Sequence, residues 1–456
     1  MGEKDIVQKS LDYSIKDGSA YSVMVGSGEA YIPAFAIKLG ASNSEIGFLC
    51  SMPALIGSLV QPIAARFTEK IGYRKGIILF SVMGNALMWL PIIILPFLFN
   101  ENRALWLILF FSLYALFNSF LGPAWASLMG DLVPESERGA YFGKRNKITG
   151  FAAFVSTIVA GYILGFFEHF FVYLGFVVIF SIASISRLIS RYYLKKMHEP
   201  KYFPEKIPNE FLGFSMDKNF IRFIFFVSMI NFSTNIAGPF FAVYMFKDLK
   251  MDYFTFGLLS AIVTLSQLVS MEYWGRLGDK FGNKKILTVT GFLVPSLPLL
   301  WLVSQNTFFL ALIQILSGFS WGGFNLAAFN YILDSSNQKN RTRYIANYNF
   351  INNFGVFLGA SIGGLLANYF ERSSFLWFYG LQIIFLISGV LRLFVSLTIL
   401  PGLKENRVKE IHEERFFFLK AVAVYPTQGV VNELVNGWKF GLDMFQKTIK
   451  PRNYNR

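Results

Sequence analysis

Cysteine, histidine and charge are all scarce in this chain of 456 residues. The one cysteine, Cys50, lies in an apolar run, so no disulfide can form within the chain. The three histidines are His169, His198 and His412, and no Cys/His spacing suits zinc. No nucleophile sits beside a base, which excludes an obvious membrane enzyme. No Gly-rich loop with its Lys-Ser/Thr pair is present, so nothing points to an ATP-driven pump. Residues 1–17 carry mixed charge without an apolar core, unlike a cleavable signal peptide. Charged residues make up 15% of the chain, where a soluble protein holds about a quarter. No cofactor and no metal are called for.

What fills the chain is apolar: 54% hydrophobic and 18% aromatic residues. Many stretches reach the roughly 20 apolar residues that cross a bilayer. Twelve spans are expected, at 18–38, 44–65, 76–99, 104–130, 147–167, 170–193, 220–246, 254–274, 285–303, 307–332, 345–369 and 374–400. The fold class is an all-α integral membrane protein. Net charge is +14, but its placement argues against nucleic acid. With both termini inside, the outer loops hold only Lys38, Arg103, Lys247, Lys250 and Arg372 of the 42 basic residues. That is the positive-inside bias. It predicts cytoplasmic termini and residence in the plasma (inner) membrane, with the lipid bilayer as a partner.

The second half repeats the first. Asp131, Arg138, Tyr141 and Asn146 return as Asp334, Arg341, Tyr344 and Asn349 at one offset. Ser22, Glu29 and Pro33 return as Ser228, Asn235 and Pro239, and Arg187 as Arg392. Parallel duplication in a membrane protein predicts two bundles that rock about a site between them. Residues 1–194 form the first six-helix bundle, 195–219 a charged, proline-bearing cytoplasmic linker, and 220–400 the second bundle. Residues 401–456 form a cytoplasmic tail. In it Val431, Leu434, Trp438, Leu442, Phe445 and Ile449 mark an amphipathic helix for the membrane surface or the inner loops.

Two loops are also duplicated. Gly275-Arg276-Leu277-Gly278-Asp279-Lys280-Phe281-Gly282-Asn283-Lys284-Lys285 joins spans eight and nine, and Ala65 to Lys75 is a degraded copy between spans two and three. Glu69 there replaces the aspartate, and Tyr73 a basic residue. The first of these loops resembles the G-x-x-x-D-R/K-x-G-R/x-K-K loop of the major facilitator superfamily. The resemblance covers about residues 18–400. It implies two pseudo-symmetric six-helix bundles, secondary transport by alternating access, and a small solute held between the halves, with spans one and seven lining the cavity.

Gly72 and Gly282 are expected at tight turns where a Cβ would clash. Glu69, Arg74, Asp279 and Lys280 are candidates for an inner gate, or for topology alone. Asp131, Arg138, Asp334 and Arg341 either bridge their own short connection or gate with the other loops. Gly161 and Gly165, like Gly359 and Gly363, have the spacing of closely packed helices.

Glu29 is the most informative single residue, because a carboxylate at mid-bilayer costs about 2.5–3.5 kcal/mol on insertion scales. It shares a predicted face with Ser19, Ser22, Gly26 and Pro33, and Asn231, Asn235, Ser228 and Gly238 lie on the matching face of span seven. Glu29 is expected to bind a proton or a substrate cation, the alternative being a structural hydrogen bond. Asn118 and Asn325 are the further cavity candidates, with Trp125 among the aromatic residues around them. Asn85 and Gln314 read as helix-to-helix hydrogen bonds. Arg187 and Arg392 are expected to snorkel or pair with loop acids near inner helix ends. The expected function is a monomeric symporter or antiporter coupled to a proton or cation gradient. The alternatives are an uncoupled facilitator or exchanger, and a non-transporting receptor or scaffold. The Gly-Pro motif of drug–proton exporters is absent from span five. Solute identity and direction stay open.

Overall fold

A computed structural model describes residues 3–134, 137–200, 217–336, 341–375, 377–406 and 421. The predicted tail helix, and most of the linker, lie outside these. The described residues are almost wholly helical. In order, α1 (Glu3–Ser27), a 3-10 turn (Glu29–Tyr31) and α2 (Ile32–Lys38) make the first crossing. Then come α3 (Asn43–Ile71), α4 (Arg74–Leu87) with α5 (Trp89–Leu98), α6 (Arg103–Leu132), α7 (Arg138–Glu168) and α8 (Val172–Lys196). The second half has α9 (Lys218–Ala237), α10 (Phe240–Val243), α11 (Tyr253–Phe281), α12 (Asn283–Leu300), α13 (Thr307–Ser335), α14 (Arg341–Phe370) and α15 (Leu381–Ile399).

Among the described residues, ten helical segments are long and apolar enough to cross a membrane. The first crossing and α12 complete twelve. These two are the most polar or shortest, and both pack inside their bundles: α1 on α7 and α8, and α12 on α13 and α15. The first helix starts at Glu3, well before the predicted residue 18. The last span starts later than predicted, because Ser374–Phe375 and Phe378–Tyr379 form a two-stranded hairpin ahead of Leu381.

Both spans predicted to line the cavity are broken near the matching prolines. α1 gives way at Gly28, five residues before Pro33, and α9 at Gly238, directly before Pro239. Proline lacks the N–H for the helical ladder and disfavours helix in the residue before it. Gly72 and Gly282 end α3 and α11 with φ of 65° and 88°. For Gly72 the cause is this left-handed backbone, since a Cβ there would meet nothing.

The buried core is divided in an informative way. One cluster holds residues of both halves, among them Tyr31, Phe35 and Phe176 from the first and Phe240, Tyr253, Phe256 and Phe385 from the second. All lie toward the face opposite the chain ends, here the distal face. Toward the terminal face each half has its own core, around Ile78 and Leu128 in one and Phe223 and Tyr331 in the other. Hydrogen bonds join α3 to α14 near the distal face, from Asn43 Nδ2 to Ala367 O (3.5 Å) and from Asn368 Nδ2 to Ser44 Oγ (2.6 Å). α7 meets α11 where Gly161 faces Gly257. The halves are thus sealed together at the distal face.

Candidate functional site

Glu29 occupies the one-turn break between α1 and α2. Gly28 is required there: a Cβ would stand 2.5 Å from the Trp89 ring. Trp89 is fully buried and packs edge-on against Tyr114, with centroids 5.5 Å apart. Tyr114 in turn donates its hydroxyl hydrogen bond to the Glu29 carboxylate. The aromatic backing therefore fixes both the turn and the carboxylate's partner. Glu29, Tyr114 and Asn118 line a cavity of about 240 Å³, with Pro53, Gly57 and Gln61 of α3, Phe111 of α6 and Asn353 of α14. One carboxylate, amides and aromatic faces converge there, and one wall comes from the other half.

The predicted face of α1 is not continuous. Ser22 and Gly26 turn to α7, where Ser156 Oγ donates to Ser22 O at 3.4 Å and a Cβ on Gly26 would strike Ala153 O. The 3-10 turn rotates the register, so Glu29 points to α6 instead. Ser22 is accordingly not a cavity residue. Trp125 is not one either: it lies under Arg145 of α7, 4.6 Å from the guanidinium carbon. On the second half, Asn235 Nδ2 bonds to Asn231 O (2.8 Å) and Asn231 Nδ2 to Asn352 Oδ1 (2.7 Å). Asn325 is exposed on α13 and is not part of the cavity lining.

Arg187 and Arg392 do not snorkel; both are buried, at 1% and 2% exposure. Arg187 Nε donates to Asn85 Oδ1 (2.9 Å), and Asn85 Nδ2 to Tyr114 O (3.3 Å), joining α8, α4 and α6 behind the site. Arg392 donates to Ser388 Oγ (3.1 Å) and to the carbonyls of Val294 (3.2 Å) and Thr234 (3.4 Å). Gln314 reaches Leu259 O at 3.4 Å, as a helix-to-helix bond.

The duplicated loops make bonds within each half. Arg74, wholly buried, donates to Asp131 Oδ2 (2.6 Å) and to Ser127 O (3.1 Å). Asp131 thus pairs across to α4 and not across its own short connection. Glu199, just past α8, accepts from the Arg74 and Lys75 backbone N–H groups (2.9 and 3.3 Å). In the second half Asn283 Nδ2 donates to Asp334 Oδ2 (2.7 Å), and Glu405 accepts from the Lys284 N–H (2.8 Å). Carboxylates at a helix N-terminus meet its unpaired N–H groups and positive dipole end. Glu199 and Glu405 escaped the sequence reading, although their separation matches that of Glu29 and Asn235. Asp279 and Lys280 are exposed at the end of α11. The side chains of Glu69, Arg138 and Arg341 lie outside the described residues.

The Major Facilitator Superfamily model matches residues 19–232 and again 221–432. The multi-drug resistance efflux pump PmrA of Streptococcus pneumoniae is 25% identical over 320 residues, covering 67% of this chain and 75% of that protein. The quinolone resistance protein NorA of Staphylococcus aureus is 29% identical over 175 residues, 38% of this chain and 45% of that one. Among solved structures, a bacterial homolog of the human lysosomal transporter Spinster, inward-facing and occupied, superposes with a TM-score of 0.69 at 12% identity, over 88% of this chain and 98% of that one. A D-xylose-proton symporter gives 0.64 at 14% identity, over 89% and 99%. These two likenesses concern the fold alone. With its duplicated six-helix halves, its two family matches and its efflux-pump relatives, the chain belongs to the Major Facilitator Superfamily and is a multi-pass membrane protein of secondary active transport.

Proposed function

We propose that the protein exports amphiphilic organic cations in exchange for protons, with Glu29 holding one or the other in turn. The observation that carries this reading is the single carboxylate facing a cavity of amides and aromatic rings. A cation on an apolar body would find there a counter-charge and ring faces for cation–π contact. Relatives that are multi-drug efflux pumps support the class of solute and the direction. At about 240 Å³ the cavity is smaller than the roughly 300–1,000 Å³ of drug sites. Larger solutes would need the Asn353 wall, which belongs to the other half, to withdraw.

The positive-inside bias places the terminal face in the cytoplasm. The conformation described is then the one sealed outside. Asn231 and Asn235 would complete the site from the second half when the halves approach. Asp131, Asp334, Glu199 and Glu405 keep the loop ends of each half rigid, so that each half moves as one body. Glu69, Asp279, Lys280, Arg138 and Arg341 remain the candidates for contact between halves in the opposite state. The work is transport, not catalysis.

The test uses proteoliposomes with an imposed proton gradient and tetraphenylphosphonium as solute. Glu29→Gln should abolish gradient-driven accumulation and spare solute exchange. Unchanged accumulation in the variant would remove Glu29 from coupling. Gradient-independent equilibration in the parent, without accumulation, would favour the facilitator reading.

A further inference from the structure

The reading above uses one half-buried carboxylate, and α1 carries another that is buried. Asp17 is 4% exposed and stands on the order of 18 Å from Glu29 along the chain, at 1.5 Å per helical residue. Between the two lies Arg187. Its Nη1 donates to Ser190 Oγ (3.2 Å), and Ser190 donates to Asp17 Oδ1 (2.6 Å). Its guanidinium carbon is 4.7 Å from the centre of the Tyr21 ring, and Tyr21 neighbours Asn118 of the cavity wall. The buried Nη2 of Arg187 has no hydrogen-bond partner among the described residues. On the far side of Asp17, Arg145 of α7 approaches Oδ2 at 3.9 Å, and its Nε donates to Ser14 O (3.3 Å). α7 is one of the two helices of the first half that pack most closely on the second.

We propose that Arg187 is a positioning residue that passes the charge state of the Glu29 cavity to α7 through Ser190 and Asp17. The proposal rests on Glu29 being the site's ion-binding group. With Glu29 ionised, Arg187 is attracted toward both carboxylates, and Asp17 is left to hold Arg145. When a proton or a cation neutralises Glu29, the guanidinium acts on Asp17 alone, and Asp17 holds Arg145 less firmly. α7 is then freer to shift along α11. The groups facing Asp17 are Arg145 and Tyr141 from α7, Arg187 from α8 and Tyr21 from α1 itself. Those facing Glu29 are Tyr114 from α6, Tyr21 from α1 and Arg187.

The second half supplies a control within the molecule. Arg392 repeats Arg187 and is equally buried, yet it is held by a serine hydroxyl and two carbonyls. Val395 stands where Ser190 does. The fold therefore buries an arginine at this place without a serine–carboxylate relay. The relay is an addition of the half that holds Glu29.

The test places spin labels at Lys147→Cys on α7 and Glu272→Cys on α11, in full-length Cys50→Ala protein in liposomes. Distances are read at pH 8 and pH 5.5, with and without tetraphenylphosphonium. The parent should shift its population fivefold or more, roughly the lower end of allosteric coupling. Ser190→Ala and Asp17→Asn should reduce that shift to about twofold or less while binding the cation as tightly as the parent. Ser190→Thr, which keeps the hydroxyl, should restore it. A parent-like shift in Ser190→Ala and Asp17→Asn would overturn the proposal, as would loss of cation binding together with the shift. A parent that does not shift with either ligand would also overturn it. If the cation fails to bind but the pH shift depends on Ser190, the relay stands and only the proposed solute class falls.

Discussion

Replacing Gly161 with alanine should push the transporter away from the distally sealed state. A Cβ on Gly161 would stand 2.7 Å from the Tyr31 hydroxyl and 2.9 Å from the Tyr253 carbonyl oxygen of α11. The carbonyl is backbone and cannot swing aside. Tyr31 cannot easily yield either, because it is buried and donates its hydroxyl to Thr157 O at 2.6 Å. Relief requires α7 and α11 to separate, and overpacking of this kind costs about 1–3 kcal/mol. The clash with Tyr31 lies within the first half and persists in either state, but the cost of the Tyr253 carbonyl clash falls only on the conformation in which the two helices touch. It therefore converts to a population shift of about 5- to 150-fold at 1.4 kcal/mol per decade. The matched control is Gly359→Ala. Its Cβ would strike the Phe232 carbonyl of α9, a contact within one half that persists in either state. Labels at Phe170→Cys and Trp377→Cys, both exposed at the distal face, would report the opening. Gly161→Ala should widen that distance, and Gly359→Ala should lower the melting temperature without widening it. Equal widening in both, or in neither, would refute the assignment of Gly161 to the moving interface.

Arg74→Ala should remove the side-chain bonds to Asp131 and Ser127. Thermal unfolding should show a loss of about 1–3 kcal/mol and not more, because Asp131 is half-exposed to water and Glu199 keeps the Arg74 and Lys75 backbone N–H groups. Gly28→Ala should displace Trp89 and, through it, Tyr114, weakening tetraphenylphosphonium binding by about tenfold in equilibrium measurements, on the order of the cost of overpacking. Asp252 caps α11 by accepting from the Thr255 N–H at 2.8 Å. Burial works to raise its carboxyl, but bonds from Thr255 and the backbone outweigh this and hold it below the usual range. Asp252→Ala should cost about 1 kcal/mol at neutral pH. Because the folded form titrates lower, that stabilisation is lost as pH falls through its depressed titration range, so parent and variant should converge in acid.

The duplication, the topology and the prominence of Glu29 were legible because each is a one-dimensional signal: an offset, an apolar run, a charge out of place. What failed were inferences about direction. Ser22 shares helical spacing with Glu29, but the break at Gly28 ends the register between them. Trp125 has the composition of a cavity wall but lies beneath Arg145. Arg187 and Arg392 occupy helix ends in the sequence and interior positions in space, since α8 and α15 run past their loops. Tyr114 and Asp17 carry no sequence flag, because their importance comes from partners on other helices. Glu199 and Glu405 could have been found: they keep the repeat's offset, and each comes directly after the last helix of its half.

The distal seal has a consequence for how the protein responds to its surroundings. The contacts described there are apolar packing, glycine crossings and neutral hydrogen bonds. A joint of that kind has little for salt to screen. Its closure withdraws apolar surface from water, which carries a negative heat-capacity change and weakens on cooling. The distal seal itself should therefore act as a thermometer more than as an electrolyte gauge. Chilling would loosen it, and any response of the balance to ionic strength would come from the charged contacts between halves in the opposite state.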